Sequence, residues 1–278
     1  HVYVSEVGSD RGVTLTGNGA SARLNLVTLD VGTDRSVATI PVGFRDALMI
    51  ATRSGTVEVF DAESGLAVLA PFQPPIESGT TTNWLQPTTL MDDQEAILSD
   101  ARGQLFHLTV ADDPQPHVTA LRQNETDAAF VAPPVVVGES IYAPVRGSEG
   151  DVLRRFALAD LTLQDQVELS GRLLWGPLSA GEIGLVMTDQ GELIGFDGRQ
   201  TRFTAGPLAA PLVGKPTAFQ GGVVVATVNG EVMHFDSDGT LITKLQLPET
   251  LGTGPVLFSE NRFIICGDDG TLHVVAVQ

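Results

Sequence analysis

The sequence predicts an all-β fold: a β-propeller of four-stranded antiparallel blades, seven in number, with six as the alternative. Three observations lead there. A block opening on a proline and closing on a hairpin glycine recurs as Pro41/Gly55, Pro87/Gly103, Pro134/Gly150, Pro177/Gly191, Pro216/Gly230 and Pro255/Gly270. Successive blocks start about 39 to 47 residues apart, the period of a repeat architecture, and short strands within each period select propeller blades. The apolar runs, such as Gly222-Val223-Val224-Val225-Ala226 and Phe263-Ile264-Ile265-Cys266, have strand length, and 30 Gly and 16 Pro furnish the turns between them.

The units start near residues 1, 41, 87, 134, 177, 216 and 255, and together make 1–278 a single propeller domain. The first is a degraded copy. Its Val2-Tyr3-Val4-Ser5 aligns with Ile141-Tyr142-Ala143-Pro144, strands follow over 13–16 and 22–29, and a first strand is missing. The unit at 41 carries the apolar run 47–51, the Ser54-Gly55 hairpin and a turn over 60–65. The units at 87 and 134 repeat the order up to Gly103 and Gly150. At 177, Asp189-Gln190-Gly191 is the hairpin and Phe196-Asp197-Gly198 the next turn.

The unit at 216 is the clearest. Strands are expected over 216–219, 223–228, 231–235 and 240–247, and Asn229-Gly230 reads as a two-residue type I′ hairpin. The last unit stops at Gln278 without a fourth strand. Each end of the chain is thus one strand short, to be completed from upstream; in the six-bladed alternative the N-terminal segment closes the ring. The second strands are apolar on both faces, as a blade wedged between two others requires. An aliphatic residue stands two positions after each hairpin glycine, as Val57, Leu105, Leu193, Val232 and Leu272, and the prolines suit the start of the innermost strand.

Charge narrows the partners. A formal net charge of −18, with Lys215 and Lys244 the only lysines, repels nucleic-acid phosphates and anionic membrane surfaces, so neither is expected as a partner. A cationic partner or plain solubility fits. No apolar run is long enough to span a bilayer as a helix. The chain opens on His1 with neither methionine nor a signal-peptide pattern, which reads as a mature or excised fragment. The single cysteine, Cys266, lies in an apolar strand and is expected to pack as a small hydrophobe.

The blocks Phe60-Asp61-Ala62-Glu63-Ser64-Gly65, Phe235-Asp236-Ser237-Asp238-Gly239 and Gly191-Glu192-Leu193-Ile194-Gly195-Phe196-Asp197 resemble the repeat of quinoprotein-like (PQQ-like) β-propellers. The tryptophan usual after the glycine turn of that repeat is missing. The resemblance implies one of two branches. Quinone-dependent dehydrogenases use a pair of adjacent cysteines and a calcium ligand set, and a chain with one cysteine does not match them. The other branch is non-enzymatic: periplasmic scaffolds of outer-membrane assembly, and sensor or interaction domains. The resemblance therefore implies no cofactor, no enzymatic activity and a periplasmic, envelope or extracellular setting.

No Ser-His-Asp grouping, nucleophile elbow or phosphate loop appears. His107, His234 and His273 fall on third strands of three different blades, too far apart to share a metal ion. The acidic pairs Asp92-Asp93, Asp112-Asp113 and Asp268-Asp269, and the looser Asp236/Asp238, read as turn caps, not calcium ligands. The candidate site is instead a rim, where hairpins and blade-to-blade connections emerge together at the channel mouth. It holds Asn83, Trp84, Trp175, Asp127 and Glu249 in connections and Arg53, Arg102 and Asp189 in hairpins. Exposed Trp with Arg is the composition of a protein-binding hot spot. The same tryptophans also suit the core. A monomeric scaffold for a protein partner is the expectation; a ligand-binding or hydrolytic site at the channel mouth is the alternative.

Overall fold

A computed structural model describes residues 2–5, 11–16, 23–30, 36–75, 82–90 and 94–277. The pair Asp92-Asp93 lies outside them. Among the described residues every regular element is a strand, and the strands form seven antiparallel sheets, each a simple meander in chain order. By its internal packing the chain divides into two compact units, His1–Pro134 and Val135–Gln278.

The first unit holds three sheets: β1 (Val2–Ser5), β2 (Arg11–Thr16) and β3 (Arg23–Thr28); β4 (Val42–Phe44), β5 (Ala47–Ala51) and β6 (Val57–Asp61); and β7 (Thr88–Thr89), β8 (Ala96–Ser99), β9 (Gln104–Ala111) and β10 (His117–Glu125). In the second sheet the fourth position is filled only by isolated bridges, Val57 to Phe72 and Phe60 to Ala67.

The second unit holds four: β11 (Val135–Val137), β12 (Ser140–Arg146), β13 (Asp151–Ala157) and β14 (Leu163–Glu168); β15 (Leu173–Ala180), β16 (Ile183–Thr188), β17 (Leu193–Phe196) and β18 (Thr201–Ala205); β19 (Leu212–Phe219), β20 (Gly222–Thr227), β21 (Glu231–Phe235) and β22 (Leu241–Gln246); and β23 (Val256–Ser259), β24 (Arg262–Cys266) and β25 (Leu272–Ala276).

Burial follows position in the sheet. Every residue of β8, β16 and β20 is buried, while β14 and β22 are mostly exposed. The cause is face-to-face packing of consecutive sheets. In the first unit, Met49 and Val57 of one sheet share a core with Leu98 and Phe106 of the next. In the second, Leu185 and Leu193 pack with Val225 and Met233, and Val224 and Val232 with Phe263 and Ile265. Each such side chain leaves water at a gain of roughly 1.5–3 kcal/mol, so inter-sheet packing dominates the favourable side of folding.

Three expectations need correction. First, the hairpins are not type I′. Gly230 N–H donates to Thr227 O (3.2 Å), and Gly230 itself has φ +92°, so the turn is 227–230 followed by a glycine bulge. The two-residue turn with both φ positive is Gln220-Gly221 (49° and 79°), joining β19 to β20. Second, Pro177 and Pro216 do not start their strands. β15 and β19 begin upstream, and the pairing register shifts between Trp175 and Leu178 and between Val213 and Thr217. A proline lacking an N–H is accommodated at such a bulge. Third, Cys266 is only half-buried. Its counterpart Ala226, by contrast, is packed in the core with Val224, Phe263 and Ile265.

Candidate partner-binding rim

Five times, the hairpin between second and third strands is stitched to the connection entering its own sheet. Arg53, Ala101, Asp189, Val228 and Asp268, each the second hairpin residue, donate their N–H to Ser36, Asn83, Arg172, Pro211 and Thr250 at 2.8–3.0 Å. The hairpin is also closed from within: Gly55, Gly103, Gly191, Gly230 and Gly270 donate to the residue three positions earlier at 3.0–3.2 Å. Loop backbone that would otherwise need water is thereby paired, so the loops stand as fixed platforms.

Beneath four of these five platforms lies a residue that sequence reasoning missed. Thr52, Asp100, Thr188 and Thr227, the first hairpin positions, are each 0 % exposed. Thr56 N–H donates to Thr52 Oγ1 (3.2 Å), and Glu231 N–H to Thr227 Oγ1 (3.1 Å). Asp100 Oδ1 accepts from the N–H groups of Arg102 (3.0 Å) and Gln104 (2.9 Å), and its Oδ2 accepts from Arg102 Nε (2.9 Å). The readable signal was a Thr or Asp three residues before the hairpin glycine.

The first unit carries Arg53, Asn83, Trp84, Arg102 and Asp127. Arg53, Asn83, Arg102 and Asp127 are exposed in the hairpin or connection layer. Trp84 is not: it is 6 % exposed and stands edge-on against Phe106 at 5.7 Å, with Phe72 on the same ring at 5.5 Å. The rim reading of Trp84 gives way to the core reading, because its large apolar indole is packed among Phe72, Leu98 and Phe106. Above this aromatic floor opens a cavity of about 450 Å³ lined by Pro75, Arg102, Gln104, Phe106, Gln123 and Glu125, among others. The Gln104 Oε1 atom itself is buried, with no hydrogen-bond partner among the described residues. A cation, amide side chains, a carboxylate and an aromatic wall suit a polar side chain.

The second unit carries Asp189, Trp175 and Glu249. Asp189 is exposed but engaged, its Oδ1 accepting from Arg172 N–H (3.0 Å) and Gln190 Nε2 (3.1 Å). Arg172 was also missed by the sequence reading. Its guanidinium reaches Gly147 O (2.9 Å), Gly150 O (3.2 Å) and Asp151 Oδ1 (3.0 Å). Asp151, 1 % exposed, is held from the other side by Arg146 at 3.0 Å. This is a clip between two sheets, with its charges occupied. Trp175 is half-buried against the core and donates Nε1–H to Gly214 O (3.1 Å). Glu249 Oε2 stands 3.2 Å from His273 Nε2.

The other candidate groups have local partners. His107 Nε2 lies 2.6 Å from Glu95 Oε2, and His234 packs against Phe219 with ring centres 5.2 Å apart and the rings tilted by 60°. Asp236 accepts from the N–H of Asp238 (2.9 Å) and Thr240 (2.8 Å), and Asp269 from Thr271 N–H (2.8 Å). The Thr240 N–H holds the Asp236 carboxyl below its ordinary value, and the Thr271 N–H does the same for Asp269. Among the described residues no three His, Cys, Asp or Glu side chains gather as a metal site, and no helix is long and apolar enough to cross a membrane.

No protein-family model matches the chain, and no curated protein matches it in sequence. Solved structures do. BamB from Moraxella catarrhalis matches at 18 % identity over 96 % of this chain and 76 % of its own, with a TM-score of 0.63. The computationally designed Ika8 protein matches at 12 % identity over 98 % and 82 %, with a TM-score of 0.64. BBS1N, solved in complex with ARL6DN, matches at 12 % identity over 96 % and 92 %, with a TM-score of 0.59. The chain is a β-propeller. At these identities the likeness establishes the propeller's fold and nothing of its chemistry.

Proposed function

We propose that this propeller is a non-enzymatic scaffold of the quinoprotein-like type, one monomeric domain over 1–278, whose hairpin rim receives a protein partner in the bacterial envelope or outside the cell. The observation that carries this reading is the stitched loop platform beside a polar cavity in the first unit, lined by Arg102, Gln104, Gln123 and Glu125. Two further features support it. A net charge of −18 favours a basic partner and speeds its encounter. A structural neighbour, BBS1N, was solved with a protein bound. Mechanistically the fold does no chemistry: rigid sheets hold loops of variable sequence at set positions.

The test compares the parent with an Arg53→Ala/Arg102→Ala/Gln104→Ala variant and with Gln164→Ala on the outer strand β14 as control, in quantitative capture from envelope extract. The rim variant is expected to lose a defined protein that the control retains. Equal capture by all three overturns the rim assignment. The polar lining also favours a second reading, a small polar ligand in the same cavity. Thermal upshifts in a small-molecule screen, abolished by Gln104→Leu, would select it.

A further inference from the structure

The sequence holds two Asn-Gly steps: Asn18-Gly19, outside the described residues, and Asn229-Gly230, in the hairpin between β20 and β21. Asparagine before glycine is the pair most prone to lose its side-chain amide spontaneously, because a glycine N–H approaches the asparagine Cγ without a Cβ in the way. Asn229 is exposed, so water reaches it. Ring closure makes one geometric demand: the Gly230 nitrogen must swing to the side of the Asn229 Cα–C bond that carries Cβ.

The hairpin holds it elsewhere. Gly230 N–H donates to Thr227 O (3.2 Å), and neither Val228 nor Asn229 has a positive φ, so the turn over 227–230 is type I. At its third residue ψ is about 0°, which eclipses the Gly230 nitrogen with Asn229's own nitrogen and turns it away from Cβ. Asn229 Oδ1 accepts the Thr227 hydroxyl (2.5 Å), and Asn229 O accepts Gln246 Nε2 (2.9 Å). Nucleophile, electrophile and the carbonyl between them are all fixed, the first two by Thr227, which is itself 0 % exposed. The hydroxyl also polarises the amide, but with the nucleophile out of reach this speeds nothing while the hairpin is closed.

We propose that Asn229 is a deamidation site locked by Thr227, and that it reacts only when the β20–β21 hairpin opens. On opening, the Gly230 nitrogen bonds to Asn229 Cγ and gives its proton to water, and the Cγ–Nδ2 bond breaks to release ammonia. Water then adds to either carbonyl of the succinimide ring and cleaves one C–N bond, leaving aspartate or isoaspartate; one water is consumed and one ammonia released. Isoaspartate carries an extra methylene in the main chain, so the 227–230 turn cannot close again in register. The ties from Val228 N–H to Pro211 O (2.9 Å) and from Leu251 N–H to Val228 O (3.0 Å) are lost with it. A single opening of this hairpin thus becomes a permanent covalent change. The lock is local to the hairpin and independent of the function proposed for the rim.

The test incubates the protein at mildly alkaline pH and quantifies both products in the peptide holding Asn229, by mass spectrometry and by methyltransferase labelling of isoaspartate. A slow step on an opened state tracks that state's population, so the folded parent should react at least about tenfold more slowly than the same chain in guanidinium chloride. Thr227→Val should remove most of this protection and Thr227→Ser, which keeps the hydroxyl, should retain it. Thr188→Val is the control: Thr188 is equally buried at the matching position of the preceding sheet, where Gln190 replaces the asparagine, so its loss leaves the Asn229 rate unchanged. The proposal fails if the folded and unfolded parent react equally fast, or if neither reacts. It fails equally if Thr227→Ser or Thr188→Val speeds the reaction as much as Thr227→Val. The comparison on the parent stands even where Thr227→Val does not fold.

Discussion

Gly230 and Gly270 hold the same place in their hairpins, with φ of +92° and +86°, yet only one is crowded. A Cβ at Gly230 would lie 2.4 Å from Leu247 O and 2.8 Å from Glu249 O, whereas at Gly270 nothing comes within 4 Å. Alanine at either site meets the backbone strain of positive φ, about 1–3 kcal/mol, and at Gly230 it adds a steric clash with backbone. Urea unfolding should therefore rank Gly230→Ala well below Gly270→Ala, and equal losses would show that φ alone governs the hairpin. Trp84 gives a second contrast. Trp84→Ala empties a site bounded by Phe72 and Phe106 and should cost about 3–5 kcal/mol, while Asn83→Ala, one residue earlier and exposed, should stay within about 0.5 kcal/mol. The sequence placed both residues in one loop and left the indole open between rim and core. It could not separate them, because the isolated bridge from Trp84 to Asp100 that turns the indole inward forms across the sheet. Arg172 and Gln104 escaped notice for the same reason: their roles depend on neighbours brought by pairing.

At the level of the element, the third strands end on an aromatic–aspartate step that was legible, at Phe60-Asp61, Phe196-Asp197 and Phe235-Asp236. Each aspartate caps the turn that follows. Asp61 accepts from Ser64 N–H and from its hydroxyl at 2.7 Å, and Asp197 accepts from Arg199 N–H (2.7 Å) and Gln200 N–H (2.9 Å). The Ser64 hydroxyl and N–H hold Asp61 below its ordinary 3.8; at Asp197 burial pushes upward, but the Gln200 and Arg199 N–H groups and Arg202 outweigh it. A carboxyl with a depressed folded value stabilises the fold above its unfolded value and loses that contribution as pH falls through the folded one. Thermal stability should therefore be flat near neutrality and fall below about pH 4, where the unfolded carboxylates begin to take up protons. Replacing Asp61 and Asp236 together by Asn should flatten the acid limb. An unchanged acid limb in that variant would assign acid unfolding to other groups. The hairpins were less legible. Asn229-Gly230 fits a type I′ turn in isolation, and the bulged alternative wins because buried Thr227 takes up the Glu231 N–H.

For the whole molecule, the proline-to-glycine period announced the repeat, because each unit needs the same innermost strand and the same hairpin to bury its faces against its neighbours. The limits of the unit were harder to see. Pro177 and Pro216 punctuate a strand from within, and the fourth strand after β6 survives only as isolated bridges. How the two compact units depend on each other in folding is the remaining question, and the tryptophans are placed to answer it, Trp84 in the first and Trp175 in the second. Each unit has inter-sheet cores of its own, so the proposed single domain over 1–278 is what requires both to melt together. Trp175→Phe leaves Trp84 as the sole indole, and Trp84→Phe leaves Trp175. In each variant the fluorescence transition in urea should coincide with the loss of far-ultraviolet circular dichroism, which reports strands throughout the chain. A Trp84 signal that moves apart from the dichroism, with a Trp175 signal that separates in the opposite sense, would mean two domains that unfold independently. The single-domain organisation would then fall, while the β-sheet pairing and the rim platforms, which are local to each unit, would stand.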